Sequence, residues 1–285
     1  MFIIIGIITV FAAVIGGYLM EHGNLHVLFQ PAELVIIFGA SGGAFLISAP
    51  PKFIAGVIKN VIAIIKSSGP GKQYYLDLLS LLYQIFGKIR RDGLFSIEAD
   101  IENPQESELF KKYAAHILHE PEVINFICDN LKVLITAAIP PHELDSLMDQ
   151  EIESLHHEGL IPSHIVGRTA DGLPGLGIVA AVLGVVLTMG KIDQPPKVLG
   201  ESIGAALVGT FLGVLMCYGF VGPLSAHLEQ KANEDIVALQ VIKVALVSFA
   251  GGGAPQIAVE FGRRAIPPGE KPDFAELEAS IKAKK

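Results

Sequence analysis

Two long stretches without a charged residue, 172–190 and 202–226, constrain this chain more than any other feature. Each carries a proline near one end, Pro174 in the first and Pro223 in the second. A helix over either stretch is long enough to cross a hydrocarbon core roughly 30 Å thick. Neither stretch contains an acidic or basic side chain. If the pair lines an ion path, we expect the titrating group to come from another chain.

Two further apolar stretches, 2–20 and 34–49, lie near the N-terminus. Hydrophobic residues make up 51% of the 285 residues, and the mean hydropathy of +0.51 is more apolar than a soluble domain requires. No basic region precedes the first stretch and no small-residue cleavage site follows it, so it predicts a retained span rather than a cleaved leader. The sequence therefore predicts four membrane-spanning helices.

Basic residues are distributed unevenly around the predicted spans. The segment 51–170 holds eleven of the twenty-one lysines and arginines and 227–285 holds eight, whereas the loop 21–32 holds none. Because positive charge collects on the cytoplasmic side, both termini and the large middle segment are expected to lie inside. The predicted domains are 1–50 (two spans), 51–170 (cytoplasmic), 171–226 (two spans) and 227–285 (a cytoplasmic helix and tail).

The segment between the two pairs of spans is predicted to be helical. Apolar residues in 53–66 recur at spacings of three and four, and no stretch shows the alternation typical of a strand. The predicted fold class is therefore an all-α integral membrane protein, with four transmembrane helices and a large helical cytoplasmic domain. Within the spans, Gly200-x-x-x-Gly204 and Gly209-x-x-x-Gly213 are patterns that let helices pack closely.

Several function classes find no support in the sequence. The net charge of −8, with basic and acidic residues interspersed, does not favour nucleic-acid binding. We find no phosphate-binding glycine-rich loop and no nucleophile–base constellation. The adjacent His156 and His157 point to different helix faces and do not predict a metal site. Cys128 and Cys217 are interpreted as ordinary reduced cysteines. The sequence thus predicts neither an enzyme nor a cofactor.

Five short segments carry a more specific pattern. They are 90–104 (RRDGLFSIEADIENP), 171–181 (DGLPGLGIVAA), 208–213 (VGTFLG), 218–224 (YGFVGPL) and 255–263 (PQIAVEFGR). Together they resemble the flagellar motor stator A subunit family (MotA): its cytoplasmic charged motif, the start of its third span, its fourth span and a later cytoplasmic motif. The resemblance covers essentially the whole chain, including its length and the order of its spans.

This resemblance implies a stator subunit in the bacterial inner membrane, which forms a proton channel and converts ion flow into torque. In the family, five A subunits are thought to surround two B subunits (MotB-like), and the B subunit supplies the ion-binding aspartate. The A subunits contact the rotor switch-complex protein (FliG-like). An aspartate supplied by the B subunit agrees with the absence of an acid from the two late stretches.

The resemblance also implies a role for two prolines, residues that remove a helix hydrogen bond and introduce a kink. Pro174 and Pro223 match the family's span prolines, which couple ion occupancy to movement of the cytoplasmic domain. The alternative for Pro174 is a first-turn position, where the missing N–H costs nothing. This alternative is weaker for Pro223, which lies deeper in a continuous helix.

Two residues of the late spans are predicted, from the same resemblance, to lie on the ion path. Thr210 matches a hydroxyl that faces the path; the alternative is that this hydroxyl bonds back to the carbonyl one turn earlier. Ala181 stands where sodium-driven relatives tend to carry a threonine. A methyl group offers no oxygen to a bare cation, which needs several oxygen ligands. The sequence therefore predicts proton rather than sodium transport.

Arg90 and Glu98 match family residues that contact the rotor protein through complementary charges. Exposed charge pairs contribute about 0–1 kcal/mol each, which suits steered and reversible contact better than tight binding. The alternative is a solvated helix end with ordinary surface charges. Four further charges of the same motif receive no individual role: Arg91, Asp92, Asp100 and Glu102.

Three other functions remain as alternatives. An energising subunit of the ExbB/TolQ type, for outer-membrane transport or envelope maintenance, shares the ion path but has three spans and lacks the charged motif at 90–104. A membrane enzyme would need a catalytic constellation that we do not find. A passive membrane scaffold would tolerate replacement of Pro174, Pro223 or Arg90 with little loss.

Overall fold

The computed structural model of this chain describes residues 2–66, 69–113, 117–137 and 139–283, without the side chains of Ile65 and Lys66. Every regular element in these residues is helical, which confirms the all-α fold class. The chain forms two compact units. The first comprises Met1–Ser68 and Gly159–Lys231, and the second comprises Gly69–Glu158 and Ala232–Lys285.

The described residues contain thirteen α-helices. They are α1 (Phe2–Met20), α2 (Leu25–Leu28), α3 (Pro31–Ser48), α4 (Pro51–Lys66), α5 (Lys72–Asp92), α6 (Glu98–Glu102), α7 (Glu108–Lys111), α8 (Pro121–Ala137), α9 (Pro141–Met189), α10 (Pro196–Met216), α11 (Gly222–Ala250), α12 (Pro255–Ala265) and α13 (Phe274–Ala283). A 3₁₀ turn at Leu94–Ile97 joins α5 to α6, and a π-helical turn at Cys217–Val221 joins α10 to α11.

Four stretches in these helices are long and apolar enough to cross a membrane, which confirms the predicted number of spans. The second is longer than predicted, because α3 begins at Pro31 and carries Glu33 in its first turn. The third belongs to α9, a helix of 49 residues in which Pro162 and Pro174 are both internal. Charged residues before position 172 conceal the length of this helix in the sequence.

Prolines and glycines set several helix ends. Pro31 and Pro196 lie in the first turns of α3 and α10, where a missing backbone N–H costs nothing. Gly93 follows α5 with φ +89°, a left-handed conformation that glycine adopts without strain. α11 ends at Ala250, directly before a run of three glycines in which Gly252 has φ +89°.

The core of the second unit forms around α5, whose apolar face includes the fully buried Leu78 and Phe86. Phe86 stacks on Phe249 of α11, with ring centroids 4.4 Å apart. α12 packs closely on this core through Gly262, where an added Cβ would lie 3.1 Å from the Val241 carbonyl oxygen. The second unit is therefore a helical domain with its own apolar core.

An ion-pair cluster organises α12, which lies in the segment 255–263. Arg263 donates to Glu260 from Nε at 2.7 Å and from Nη2 at 2.8 Å, and Arg264 Nε donates to Glu260 at 2.9 Å. The Arg263 guanidinium, with a smaller contribution from Arg264, lowers the pKa of Glu260 to about 2. Arg263 also donates to the Pro272 carbonyl at 3.0 Å. This motif therefore stabilises the packing of the second unit.

Candidate functional site

The two late spans meet along a line of glycines on α9 and α10. A Cβ added at Gly213 would lie 2.5 Å from the carbonyl oxygen of Leu173, and one at Gly177 would lie 2.7 Å from the carbonyl oxygen of Gly209. These neighbours are backbone atoms, which cannot swing aside as a side chain can. The contact of α9 with α10 therefore requires the absence of side chains at these positions.

The two predicted small-residue patterns differ in what they contact. Gly209 and Gly213 both lie against α9. An added Cβ at Gly200 would meet no atom within 4 Å, and at Gly204 it would meet only Val27, at 3.9 Å. Close packing within the chain thus depends on the second pattern.

Pro174 lies deep inside α9, so the first-turn alternative is wrong for this residue. Without an N–H at position 174, the carbonyl of Ala170 lacks the donor that a helix normally supplies four residues later. Ala170 itself is 1% exposed. The Leu173 carbonyl, one residue before the proline, faces Gly213 of α10. The proline turn and the helix contact thus coincide.

Pro223 follows a local change of helix type. The preceding residues Cys217–Val221 form a π-helical turn, in which the N–H of Gly222 bonds to the carbonyl of Cys217. π-turns insert one extra residue into a helix and occur frequently at functional sites. α1 contacts this turn: the rings of Phe11 and Phe220 have centroids 4.8 Å apart. The sequence gives one signal of such a turn, a proline preceded by closely spaced glycines.

The structure brings the two predicted ion-path residues to the same level of the α9–α10 contact. An added Cβ at Gly209, the neighbour of Thr210, would lie 3.1 Å from the backbone nitrogen of Ala181. Thr210 and Ala181 are both half-buried. Thr188 Oγ1 donates to the carbonyl four residues earlier at 2.8 Å, whereas we find no such bond from Thr210 within the described residues. Its hydroxyl is therefore available for other partners.

Glu33 is a residue of this site that sequence reasoning missed. Its side chain is 7% exposed, and its Oε2 has no hydrogen-bond partner in the described part of the chain. An added Cβ at Gly209 would lie 2.6 Å from Oε2, and one at Gly184 would lie 3.5 Å from Oε1. The carboxyl group thus occupies a socket that two glycines leave open.

Glu33 corrects the inference drawn from the late spans alone. Those stretches contain no acid, yet α3 places one against both helices. The predicted second span began at residue 34, one residue too late to include it. The signal available in the sequence was its position in the first helical turn after Pro31. The absence of an acidic residue from the two late stretches therefore does not require every titratable group near them to come from another chain.

The predicted rotor-contact residues lie in the second unit, on either side of the turn at Gly93. Arg90 lies in the last turn of α5 and Glu98 begins α6, and both are exposed. Neither forms an ion pair with a residue that the structure describes. By contrast, Asp100 accepts from Lys88 Nζ at 2.6 Å and from Ser107 Oγ at 2.6 Å. The motif thus contains both an internal, paired charge and exposed, unpaired ones.

The remaining polar candidates are locally paired or buried. A ring nitrogen of His156 hydrogen-bonds to Asn233 Oδ1 at 2.8 Å. Burial raises the pKa of the Cys128 thiol to about 12. Across the described residues, no group of three histidine, cysteine or acidic side chains is placed to hold a metal ion.

Two family models match the chain. The motility protein A N-terminal model matches residues 4–93, and the MotA/TolQ/ExbB proton channel family model matches residues 110–240. Motility protein A of Escherichia coli (strain K12) is 45% identical over 285 residues, which are 100% of this chain and 96% of that protein.

Two solved structures share the fold. C. jejuni MotAB has a TM-score of 0.76 at 19% identity, and covers 93% of this chain and 95% of its own. The flagellar MotAB stator complex from Bacillus subtilis has a TM-score of 0.69 at 24% identity, with coverages of 90% and 92%. At these identities, the likeness establishes a shared fold.

Replacing Gly213 with alanine tests the contact between α9 and α10. We expect Gly213→Ala to lower the free energy of unfolding of the detergent-purified protein by about 1–3 kcal/mol, the usual cost of overpacking. This loss would be seen as a lower melting temperature. The physical reason is the Leu173 carbonyl, which a methyl group would displace. Gly200→Ala is the matched control and should be neutral, because its methyl group meets nothing. Equal melting temperatures for the two variants would contradict the assigned contact.

Proposed function

The chain belongs to the motility protein A family and is a stator subunit of the bacterial flagellar motor; we propose that it forms its proton channel together with a B subunit. The observation that carries the function is 45% identity to a motility protein A across all 285 residues. The family match also makes it a multi-pass membrane protein of a proton channel family, not of an enzyme family.

The ExbB/TolQ alternative is not favoured. The motility protein A N-terminal model matches residues 4–93, and the chain has four helices able to cross a membrane instead of three. The charged motif at 90–104, which that type lacks, is present here. Transport of solutes across an outer membrane is therefore not the function we assign.

The proposed assembly is five copies of this chain around two B subunits, which supply the ion-binding aspartate. The two solved structures that share the fold are MotAB of C. jejuni and the MotAB stator complex of Bacillus subtilis. Large apolar side chains of α9 and α10 support a partner or lipid contact, since many are exposed in the isolated chain. Among them are Val186 at 62%, Leu187 at 71% and Leu207 at 59%; Tyr218, in the π-helical turn that follows α10, is 74% exposed.

The proposed topology places both termini and the segments 51–170 and 227–285 in the cytoplasm. The distribution of lysine and arginine supports it, because nineteen of the twenty-one lie in these two segments. In this orientation the links between α1 and α3 and between α9 and α10 face the periplasm. The domains 1–50 and 171–226 then form the membrane part.

We assign the proton as the coupling ion. Ala181 presents a methyl group, and Thr210 lies near it across the α9–α10 contact. A bare sodium ion would need several oxygen ligands, and this pair contributes one hydroxyl. A proton moves along water and a single carboxylate, so it has no such requirement.

Pro174 and Pro223 are proposed to couple proton binding to bending of α9 and of the helix that continues into α11. The missing N–H of Pro174, which removes the helix donor to the Ala170 carbonyl, supports a flexible point in α9. The π-helical turn at Cys217–Val221 supports a second one before Pro223. Bending at these points would change the direction in which the rest of each helix runs.

Arg90 and Glu98 are proposed to contact charged residues of the rotor protein. Their exposure and the lack of a partner among the described residues support this role. Asp100 is excluded from it, because Lys88 and Ser107 already occupy its carboxylate.

Deletion of the gene tests the function directly. We expect cells with normal numbers of flagella that do not rotate, and recovery of swimming when the intact gene is restored. Flagella are counted by electron microscopy, and rotation is scored on tethered cells. Deletion of any second stator set in the same strain makes the result unambiguous. Unimpaired rotation in that background would overturn the assignment.

Charge reversal tests the rotor contact. The double variant Arg90→Glu with Glu98→Lys keeps the net charge, and we expect it to abolish most swimming while membrane levels stay normal. The matched control reverses the exposed i,i+4 pair of α13, as Glu278→Lys with Lys282→Glu. Swimming plates and immunoblots of membranes provide the measurement. Normal swimming in the first variant would remove the rotor-contact role.

Restoring a helix hydrogen bond tests the coupling role of Pro174. Pro174→Ala gives Ala170 its donor and straightens α9, so we expect stall torque to fall by more than half, with the complex still assembled. Pro162→Ala is the control, because Pro162 is also internal to α9. Torque is measured from beads attached to flagellar stubs. Unchanged torque in Pro174→Ala, or an equal loss in both variants, would contradict a specific role.

A further inference from the structure

Glu33 is the only acidic side chain that is buried among the described residues of the first unit. It lies in the first turn of α3 and is 7% exposed within the isolated chain, before any partner or lipid covers it. An ionised carboxylate buried without a partner is costly, and such groups are normally paired, hydrogen-bonded or neutral. Oε2 of Glu33 has no hydrogen-bond partner in the described part of the chain. A stabilising structural contact is therefore an incomplete account of this residue.

The position of the carboxyl group connects it to both late spans. Gly209 of α10 and Gly184 of α9 leave the space that the two oxygens occupy, since added Cβ atoms would lie 2.6 Å and 3.5 Å from them. Gly209 is followed by Thr210 and also faces the backbone of Ala181. The carboxyl group thus lies beside the residues assigned to the ion path.

Within the part of the chain that the structure describes, no charged group of the packed elements forms an ion pair with Glu33. The charged residue nearest in sequence to Gly184 is Lys191, seven residues beyond it and just after the end of α9. Lys191 Nζ instead donates to Ser202 Oγ at 3.2 Å. The other charged or titratable groups at this end of the spans are exposed: Glu21 and His22 after α1, His26 on α2, Asp193 after α9, and Lys197 and Glu201 on α10.

We propose that Glu33 is a proton-binding site of this chain, at the periplasmic half of the ion path and distinct from the aspartate of the B subunit. A hydronium ion transfers its proton to the Glu33 carboxylate, which leaves water and a neutral carboxylic acid. The acid then returns the proton to a water molecule beside Thr210, and the carboxylate is regenerated. No other reactant is required.

The socket suits this role because both the neutral acid and the carboxylate of Glu33 can be accommodated in it. Its glycine and alanine surroundings stabilise the neutral acid, since no positive charge is paired with the group. In the charged form, the unpartnered Oε2 of Glu33 can accept a hydrogen bond from a water molecule that enters the path. The placement of Glu33 at the periplasmic half of an ion path rests on the proposed function, whereas proton binding at Glu33 does not.

Infrared spectroscopy of the purified complex tests proton binding independently of motor function. When the pH is lowered, we expect a carboxylic acid C=O band that is absent from Glu33→Gln and present in Glu201→Gln. Glu201 is the control because it is an exposed acid at the start of α10. Identical pH-difference spectra for wild type and Glu33→Gln would overturn the proposal, even if the chain proves to be a stator subunit.

Proton transport provides the second measurement. Glu33→Gln keeps the shape of the side chain but cannot titrate, so we expect proton influx to fall about tenfold, equivalent to about 1.4 kcal/mol on the transport barrier. The dependence of proton influx on external pH should flatten in Glu33→Gln. Glu33→Asp should retain part of the influx and part of its pH dependence. Wild-type influx and pH profile in Glu33→Gln would show a purely structural role. If Glu33→Gln fails to assemble, the spectroscopic experiment is done with Glu33→Asp instead. A carboxylic acid band that is shifted or absent relative to wild type would support the proposal, and an unchanged band would overturn it.

Discussion

The direct contact between the backbones of α9 and α10 is the constraint on which the membrane part of this protein depends. Lipid provides no hydrophobic force between helices, so close packing has to come from van der Waals contact. Glycine at positions 177, 209 and 213 makes that contact possible. The same absence of side chains leaves room for the Glu33 carboxyl group and sets Thr210 close to Ala181. One set of glycines therefore determines both the helix contact and the surroundings of Glu33, Thr210 and Ala181.

Pro174 and Pro223 both lie beside close contacts between helices. Pro174 follows the Leu173 carbonyl that faces Gly213, so a missing hydrogen bond lies next to a backbone contact. The π-helical turn before Pro223 lies against α1 through Phe11 and Phe220. A helix that bends at such a point keeps its local neighbour while its far end changes direction. Each of the two prolines thus lies beside a contact with another helix: Leu173 with Gly213 for Pro174, and Phe220 with Phe11 for Pro223.

Most of the fold could be predicted from the sequence, because the length of a charge-free stretch decides whether a helix can cross a membrane. The site was predicted only in part. Thr210 and Ala181 were predicted through a motif, and their place on an ion path stays a prediction. Glu33 depends on contacts with glycines far along the chain, which no local pattern records. The internal position of Pro174 was concealed by the charged residues before it. Asp100 has the same chemistry as its exposed neighbours, and only its contacts with Lys88 and Ser107 separate it from them.

The Glu33 socket is formed by helices that are synthesised at different times. The acid belongs to α3, whereas the glycines that enclose it belong to α9 and α10, which the ribosome synthesises later. During biogenesis the first hairpin of helices therefore enters the membrane with an acidic side chain that has no socket. Near the end of its helix, that side chain can remain in the hydrated headgroup region until the second hairpin arrives. Closure of the socket then removes the acid from bulk water, so maturation of the membrane part ends with the burial of a titratable group.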